Sequence, residues 1–196
     1  MSFIKSLKNN LFPPKNPEEI AKKITEDIAS SSFDFFKQSD FRELVNFEKL
    51  ERTEQDRIFN EIVVTGLSLA ILMFESMEKV ANNKNLKQFL IEIRVELASY
   101  YGNWLKELGT PQEFVDLWKK LIEMRVDEYR KDYQEHQKEL EKDWKKNPWV
   151  FVTALGGYHH IRRGKVKQED KLFKMFLKWV IKNANKICKD NIRALR

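Results

Sequence analysis

The stretch IVVTGLSLAILMF, residues 62–74, is the longest nearly uniform apolar run in the chain and decides the fold. It lies between Glu61 and Glu75, and a helix of its length rises about 20 Å, which is short of the roughly 30 Å hydrocarbon core of a bilayer. We therefore predict a buried central helix and no transmembrane segment. Other helices must then supply the apolar faces that surround it.

Start and stop signals divide the rest of the chain into helices. Asn16-Pro17 places a capping residue before a proline at the first helical position, Thr110-Pro111-Gln112-Glu113 predicts a capping box, and Gly109 is suited to end the preceding helix. Asn147-Pro148 repeats the start signal, and Gly164 supplies a stop. The predicted helices cover residues 17–31, 53–81, 85–108, 111–146, 148–163 and 168–194, with a helical connector near 40–50.

These patterns predict an all-α fold, a bundle of about six helices in a single domain over residues 15–196. Hydrophobic residues make up 42% of the chain and charged residues 34%, a globular and helix-rich composition. One helix over 111–146 would extend about 54 Å, more than the diameter of a compact domain. We expect its second half to bend, project or pack on a partner, which would favour self-association.

The cysteine content and the N-terminal residues indicate the cellular compartment. Cys188 is the only cysteine, so no internal disulfide forms, and residues 1–11 lack the apolar core and cleavage site of a secretory signal. We expect a cytoplasmic protein. Residues 1–14 read as a short amphipathic arm with an apolar face and two lysines. It is expected to fold onto the bundle or onto a second copy, with contact to a membrane surface as the alternative.

Positive charge is concentrated at the C-terminal end. Residues 162–196 contain twelve Lys or Arg and three acids, a net charge of +9, whereas the whole chain carries +6, so residues 1–161 sum to −3. In the last predicted helix the basic residues recur every three or four positions and fall within about 60° of one line along the helix. They are Lys171, Lys174, Lys178, Lys182, Lys186, Lys189, Arg193 and Arg196.

This basic row has two interpretations. Phe173, Phe176 and Trp179 occupy the opposite side, which therefore faces the core. A row with so few balancing acids predicts a surface for a polyanion: an acidic protein, nucleic acid or an anionic membrane. The competing interpretation is a solvated face without a partner. Few aromatic or amide side chains interrupt the row, so binding to DNA or RNA would be independent of sequence.

The most site-like stretch is ALGGYHHIRRG, residues 154–164. One hypothesis is an anion or phosphate site, with arginines as donors and a histidine as acid or base. The other, which we favour, is a helix end where Gly156 and Gly157 relieve crowding and cations complement the helix dipole. The candidate side chains are His159, His160, Arg162 and Arg163.

A metal site is a weaker hypothesis. Asp132 and His136 stand four residues apart, with Glu139 nearby, a spacing that suits a metal ion. The mixed charges over residues 127–146 are more typical of an exposed helix laced with salt bridges. We therefore predict neither a metal nor a cofactor.

Three functions fit the sequence. The leading hypothesis is a non-enzymatic interaction or regulatory protein whose basic C-terminal helix contacts an acidic partner. The second is a polyanion-binding protein that uses the same row for nucleic acid or an anionic membrane surface. The third is a helical enzyme with a His/Arg site near residues 156–163. No phosphate-binding loop, nucleophile elbow, HExxH or CxxC motif occurs in the sequence, which favours the first two.

Overall fold

The computed structural model describes residues 16–144, 148–164 and 170–189, and these form a single all-α bundle. The described ranges contain eight α-helices and no strand. A short 3₁₀ helix, Phe47–Lys49, precedes the long central helix. The helices are α1 (Pro17–Phe36), α2 (Ser39–Leu44), α3 (Arg52–Val80), α4 (Lys84–Glu107), α5 (Gln112–Glu135), α6 (Gln137–Asp143), α7 (Pro148–Arg162) and α8 (Lys171–Ile187).

Helix α3 is the centre of the bundle, which confirms the prediction made from residues 62–74. Every residue from Glu61 to Glu75 is buried, and α3 packs against α1, α4, α5, α7 and α8. A window of this helix is long and apolar enough by composition to cross a bilayer, and 89% of that window is buried by the neighbouring helices. The apolar segment is thus longer than the stretch delimited in the sequence.

Local signals set several helix ends as predicted. Asn16 Oδ1 accepts a hydrogen bond from Glu18 N at 3.2 Å, and Pro17 occupies the first turn of α1. Gly109 takes a left-handed φ of 86° and ends α4. The predicted capping box at Thr110 is wrong. The N-cap of α5 is Pro111, which forms no side-chain capping bond. Thr110 instead closes the turn that follows α4, because its N–H donates to Leu105 O at 3.0 Å.

The predicted helix over 111–146 is broken at His136. This residue has φ −114° and ψ 18°, and it separates α5 from α6. The break turns α6 onto α7, where Leu140 is buried and Trp144 is half-buried. Burial of these two side chains explains why the chain bends instead of projecting as a straight rod. Residues 145–147, including the predicted cap Asn147, lie outside the described ranges.

Two buried carboxylates join α3 to α5. Arg125 Nη2 donates to Glu61 Oε1 at 2.7 Å and Arg125 Nε to Glu61 Oε2 at 3.1 Å. Farther along α3, Arg130 Nη2 donates to Glu75 Oε2 at 2.8 Å. A buried charge is costly unless it has a partner of opposite charge. These two pairs therefore fix how α5 lies against the buried segment of α3.

Candidate functional site

The basic residues of α8 form one exposed surface, which we call the lysine face. All six of its described members are exposed, while Phe176, Val180 and Ala184 on the opposite side are buried in the core. From first to last the row extends about 27 Å at 1.5 Å per residue. Arg193 and Arg196, the remaining members predicted from the sequence, lie outside the described residues. The described members are Lys171, Lys174, Lys178, Lys182, Lys186 and Lys189.

Part of the lysine face is tied to the bundle. Lys186 Nζ lies 2.9 Å from Asp27 Oδ1 on α1, and Lys23 Nζ lies 2.7 Å from the other carboxylate oxygen. Burial raises the pKa of Asp27, but the hydrogen bonds and charges of Lys23 and Lys186 outweigh burial and hold the pKa below its ordinary 3.8. Four other positions have no ion pair among the described residues: Lys171, Lys178, Lys182 and Lys189.

Two glycines of the 154–164 stretch, Gly156 and Gly157, are packing positions in the middle of α7. A Cβ on Gly156 would lie 2.2 Å from Cε1 of Tyr129, and one on Gly157 would lie 2.4 Å from Oγ1 of Thr65. Both neighbours are fully buried, so neither ring nor hydroxyl has room to move. Gly156 and Gly157 thus let α7 approach α5 and α3. They relieve crowding as expected, but they lie within the helix and not at the helix end that the sequence predicted.

The histidines and arginines that follow do not converge on one point. His160 Nε2 lies 2.8 Å from Glu128 Oε1, and Glu128 also pairs with Arg125. Burial raises the pKa of Glu128, but His160 and Arg125 outweigh it and lower the pKa below 4.5. Arg162 pairs with Asp170 at 3.5 Å, and Arg163, in a left-handed conformation, pairs with Glu54 at 3.2 Å. The side chains of His160, Arg162 and Arg163 therefore each already face a carboxylate.

His159 points into a cleft between α5, α6 and α7, which we call the α5–α7 cleft. The cavity has a volume of about 450 Å³. Its polar lining consists of carboxylates and histidines, and its apolar lining of aliphatic and aromatic side chains. The lining residues are Glu128, Asp132, His136, Glu139, Leu140, Trp144, Phe151, Val152, Leu155 and His159.

The cleft has a charged end and an apolar end. Helix α7 runs antiparallel to α5, because Trp149 stacks on Tyr133 whereas His160 binds Glu128. His159 therefore lies at the end that contains Glu128 and Asp132. The other end contains the rings of Trp144 and Phe151, whose centroids are 5.1 Å apart.

Asp132 differs from the other carboxylates of the cleft. It is half-buried, and its carboxylate forms no hydrogen bond or ion pair with any described residue, whereas the carboxylate of Glu139 lies 3.3 Å from His136 Nδ1. Burial, together with the charges of Glu128 and Glu135, raises the pKa of Asp132 above its ordinary 3.8, and His136 and His159 oppose this only in part.

Sequence reasoning singled out three residues of this cleft, but only as a weak metal hypothesis on a helix expected to be exposed. The structure places Asp132, His136 and Glu139 in the lining of the cleft. Sequence reasoning missed Trp144 and Phe151, because the reversal of the chain between α6 and α7 brings them together. Across the residues that the structure describes, no group of three His, Cys, Asp or Glu side chains is arranged to hold a metal ion.

Comparison with known proteins does not assign a class to this architecture. No protein-family model, curated protein or solved structure matches the chain.

Proposed function

We propose that this protein is a non-enzymatic interaction protein whose lysine face binds an acidic protein partner. The observation that carries the proposal is the separation of α8 into a buried apolar side and an exposed side with lysines at nearly every turn. Lys171, Lys178, Lys182 and Lys189 have no ion pair within the described residues, so their charges are available to a partner.

The spacing of the lysine face suits an acidic helix. Its members recur every three or four residues, about one per 5.4 Å turn. A partner helix with Glu or Asp at the same spacing presents carboxylates at matching intervals, so several ion pairs form together. Each exposed pair contributes only about 0.2–1 kcal/mol, so binding depends on their number.

An acidic protein fits this surface better than nucleic acid. Every described cation of the lysine face is Lys, which lacks the planar fork with which Arg reads the edges of bases. The aromatic residues of α8 point into the core, with Trp179 stacked on Phe176, so they offer no platform for unstacked bases.

At α8 an anionic membrane would be held by charge alone; the predicted amphipathic arm, residues 1–14, lies outside the described residues. The apolar side of α8 is already buried in the bundle, so the helix has no free apolar face to insert between lipids. We do not propose an enzyme at the His/Arg stretch, because His160, Arg162 and Arg163 are each paired with a different carboxylate.

The proposal is tested by fluorescence anisotropy with a labelled helical peptide that carries Glu at every third or fourth position. Reversing two lysines, Lys178→Glu with Lys182→Glu, removes two ion pairs and adds two repulsions. At about 0.5 kcal/mol for each of these four changes, binding weakens by about 2 kcal/mol, or roughly 30-fold.

The matched control reverses Lys84 and Lys87 to Glu. Both are exposed on α4 and have no ion pair in the described ranges, so this variant carries the same net charge as the first. We expect the control to bind like the wild type. Equal loss in both variants would mean that total charge governs binding, which contradicts a role for the lysine face.

A further inference from the structure

We propose that the α5–α7 cleft binds a small organic cation, with its ammonium group at Asp132 and its apolar body against Trp144 and Phe151. The proposal does not depend on the lysine face, because no residue of α8 lines the cleft. The lining comes from α5, α6 and α7, with His136 between α5 and α6 and Trp144 after α6.

The dimensions of the cleft indicate a small molecule. Its volume of about 450 Å³ falls within the range of roughly 300–1,000 Å³ that is common for ligand pockets. Helices α5, α6 and α7 all contribute to its lining, together with His136 at the kink between α5 and α6. A site of this form holds one compact ligand better than an extended polymer.

The charges of the lining indicate the sign of the ligand. Its described side chains include three carboxylates and no Lys or Arg. Glu128 is already bound to His160 and Arg125, and Glu139 lies beside His136. Asp132 remains as a half-buried carboxylate without a partner, so a bound cation would supply the charge that the protein does not.

The opposite end indicates the shape of the ligand. Trp144 and Phe151 present neighbouring rings tilted by 33°, and Leu140 and Leu155 continue the apolar wall. Aromatic rings bind the apolar body of a ligand and also attract a cation through their faces. An amine on a short apolar or aromatic body therefore matches both ends of the cleft, whereas an anion would be repelled by its three carboxylates.

The test is an NMR titration of the full ¹⁵N-labelled chain with phenethylamine and tryptamine. The shape-matched anions 3-phenylpropionate and indole-3-propionate serve as controls. We expect both amines, and neither anion, to shift the amide signals of Asp132, His136 and His159. The variant Asp132→Asn should weaken binding of the amines by about tenfold or more, because a charged hydrogen bond is replaced by a neutral one.

The matched variant is Glu123→Gln, an exposed carboxylate on the same helix that lies outside the cleft. It should bind the amines as the wild type does, and thermal unfolding should confirm that both variants are folded. Absence of cleft shifts with both amines at millimolar concentration would overturn the proposal. So would equal binding of the anions, or an Asp132→Asn variant with unchanged affinity.

Discussion

The pair between Arg125 and Glu61 gives the clearest prediction about stability. The Glu61 side chain is 7% exposed, and Arg125 is its only side-chain hydrogen-bond partner among the described residues. In Arg125→Met, water cannot replace the two lost bonds. Breaking a buried pair in this way costs about 3–5 kcal/mol.

We expect the lower end of that range. Arg125 is 13% exposed at the rim of the interface, and Glu128 keeps its bond to His160 after the substitution. A loss of about 3 kcal/mol lowers Tm by roughly 6–12 °C in a chain of this size. Urea unfolding and calorimetry measure both quantities.

The comparison is with Lys131→Met on the same helix. Lys131 and Glu135 form an exposed pair at 3.9 Å, so its loss should change stability by less than about 0.5 kcal/mol. The double variant Glu61→Gln with Arg125→Met removes both charges and should be more stable than the sum of the single losses predicts, by about 1–3 kcal/mol. If Arg125→Met is no less stable than Lys131→Met, the reasoning from burial is refuted.

Two further predictions concern packing and acid stability. In urea unfolding, Gly156→Ala should destabilise the protein by about 2 kcal/mol despite the better helix propensity of Ala, because the new Cβ meets the buried Tyr129 ring. The control is Gly164→Ala, which should be neutral because the nearest atom to its Cβ lies 3.8 Å away. Burial raises the pKa of Glu75, but Arg130 and Lys79 outweigh it and hold the pKa below 4.5. The stability from this lowered pKa is present above pH 4.5 and is lost as the pH falls through the pKa of the folded state. The difference in unfolding free energy between the wild type and Glu75→Gln should therefore shrink below pH 4.5, and an unchanged difference would contradict the assignment.

Local patterns in the sequence predicted the parts of the fold that depend on local physics. The apolar run over 62–74, the Asn16-Pro17 start and the Gly109 stop each act through burial, capping or backbone conformation within a few residues. The exposed row on α8 follows in the same way from helical periodicity. These features can therefore be predicted from the sequence without knowledge of the neighbouring helices.

The parts of the fold and of the site that the sequence did not predict depend on contacts between segments that are distant in the chain. The break at His136 allows Leu140 and Trp144 to be buried against α7. The helical pattern of residues 111–146 does not reveal this contact. Arg163, not Gly164, takes the left-handed position after α7. The partners of His160 and Arg163 come from α5 and α3, so the sequence alone did not show that these two side chains point to different places.

The central claim, that the lysine face recognises an acidic protein, is tested most directly by comparing two polyanions of equal charge over a salt series. One is the helical Glu peptide, and the other is a short mixed-sequence DNA duplex. We predict tighter binding of the peptide at every salt concentration, and loss of that binding in Lys178→Glu with Lys182→Glu. Tighter binding of DNA, with a log–log salt slope of about −0.9 per phosphate neutralised, would contradict the account and assign the surface to nucleic acid.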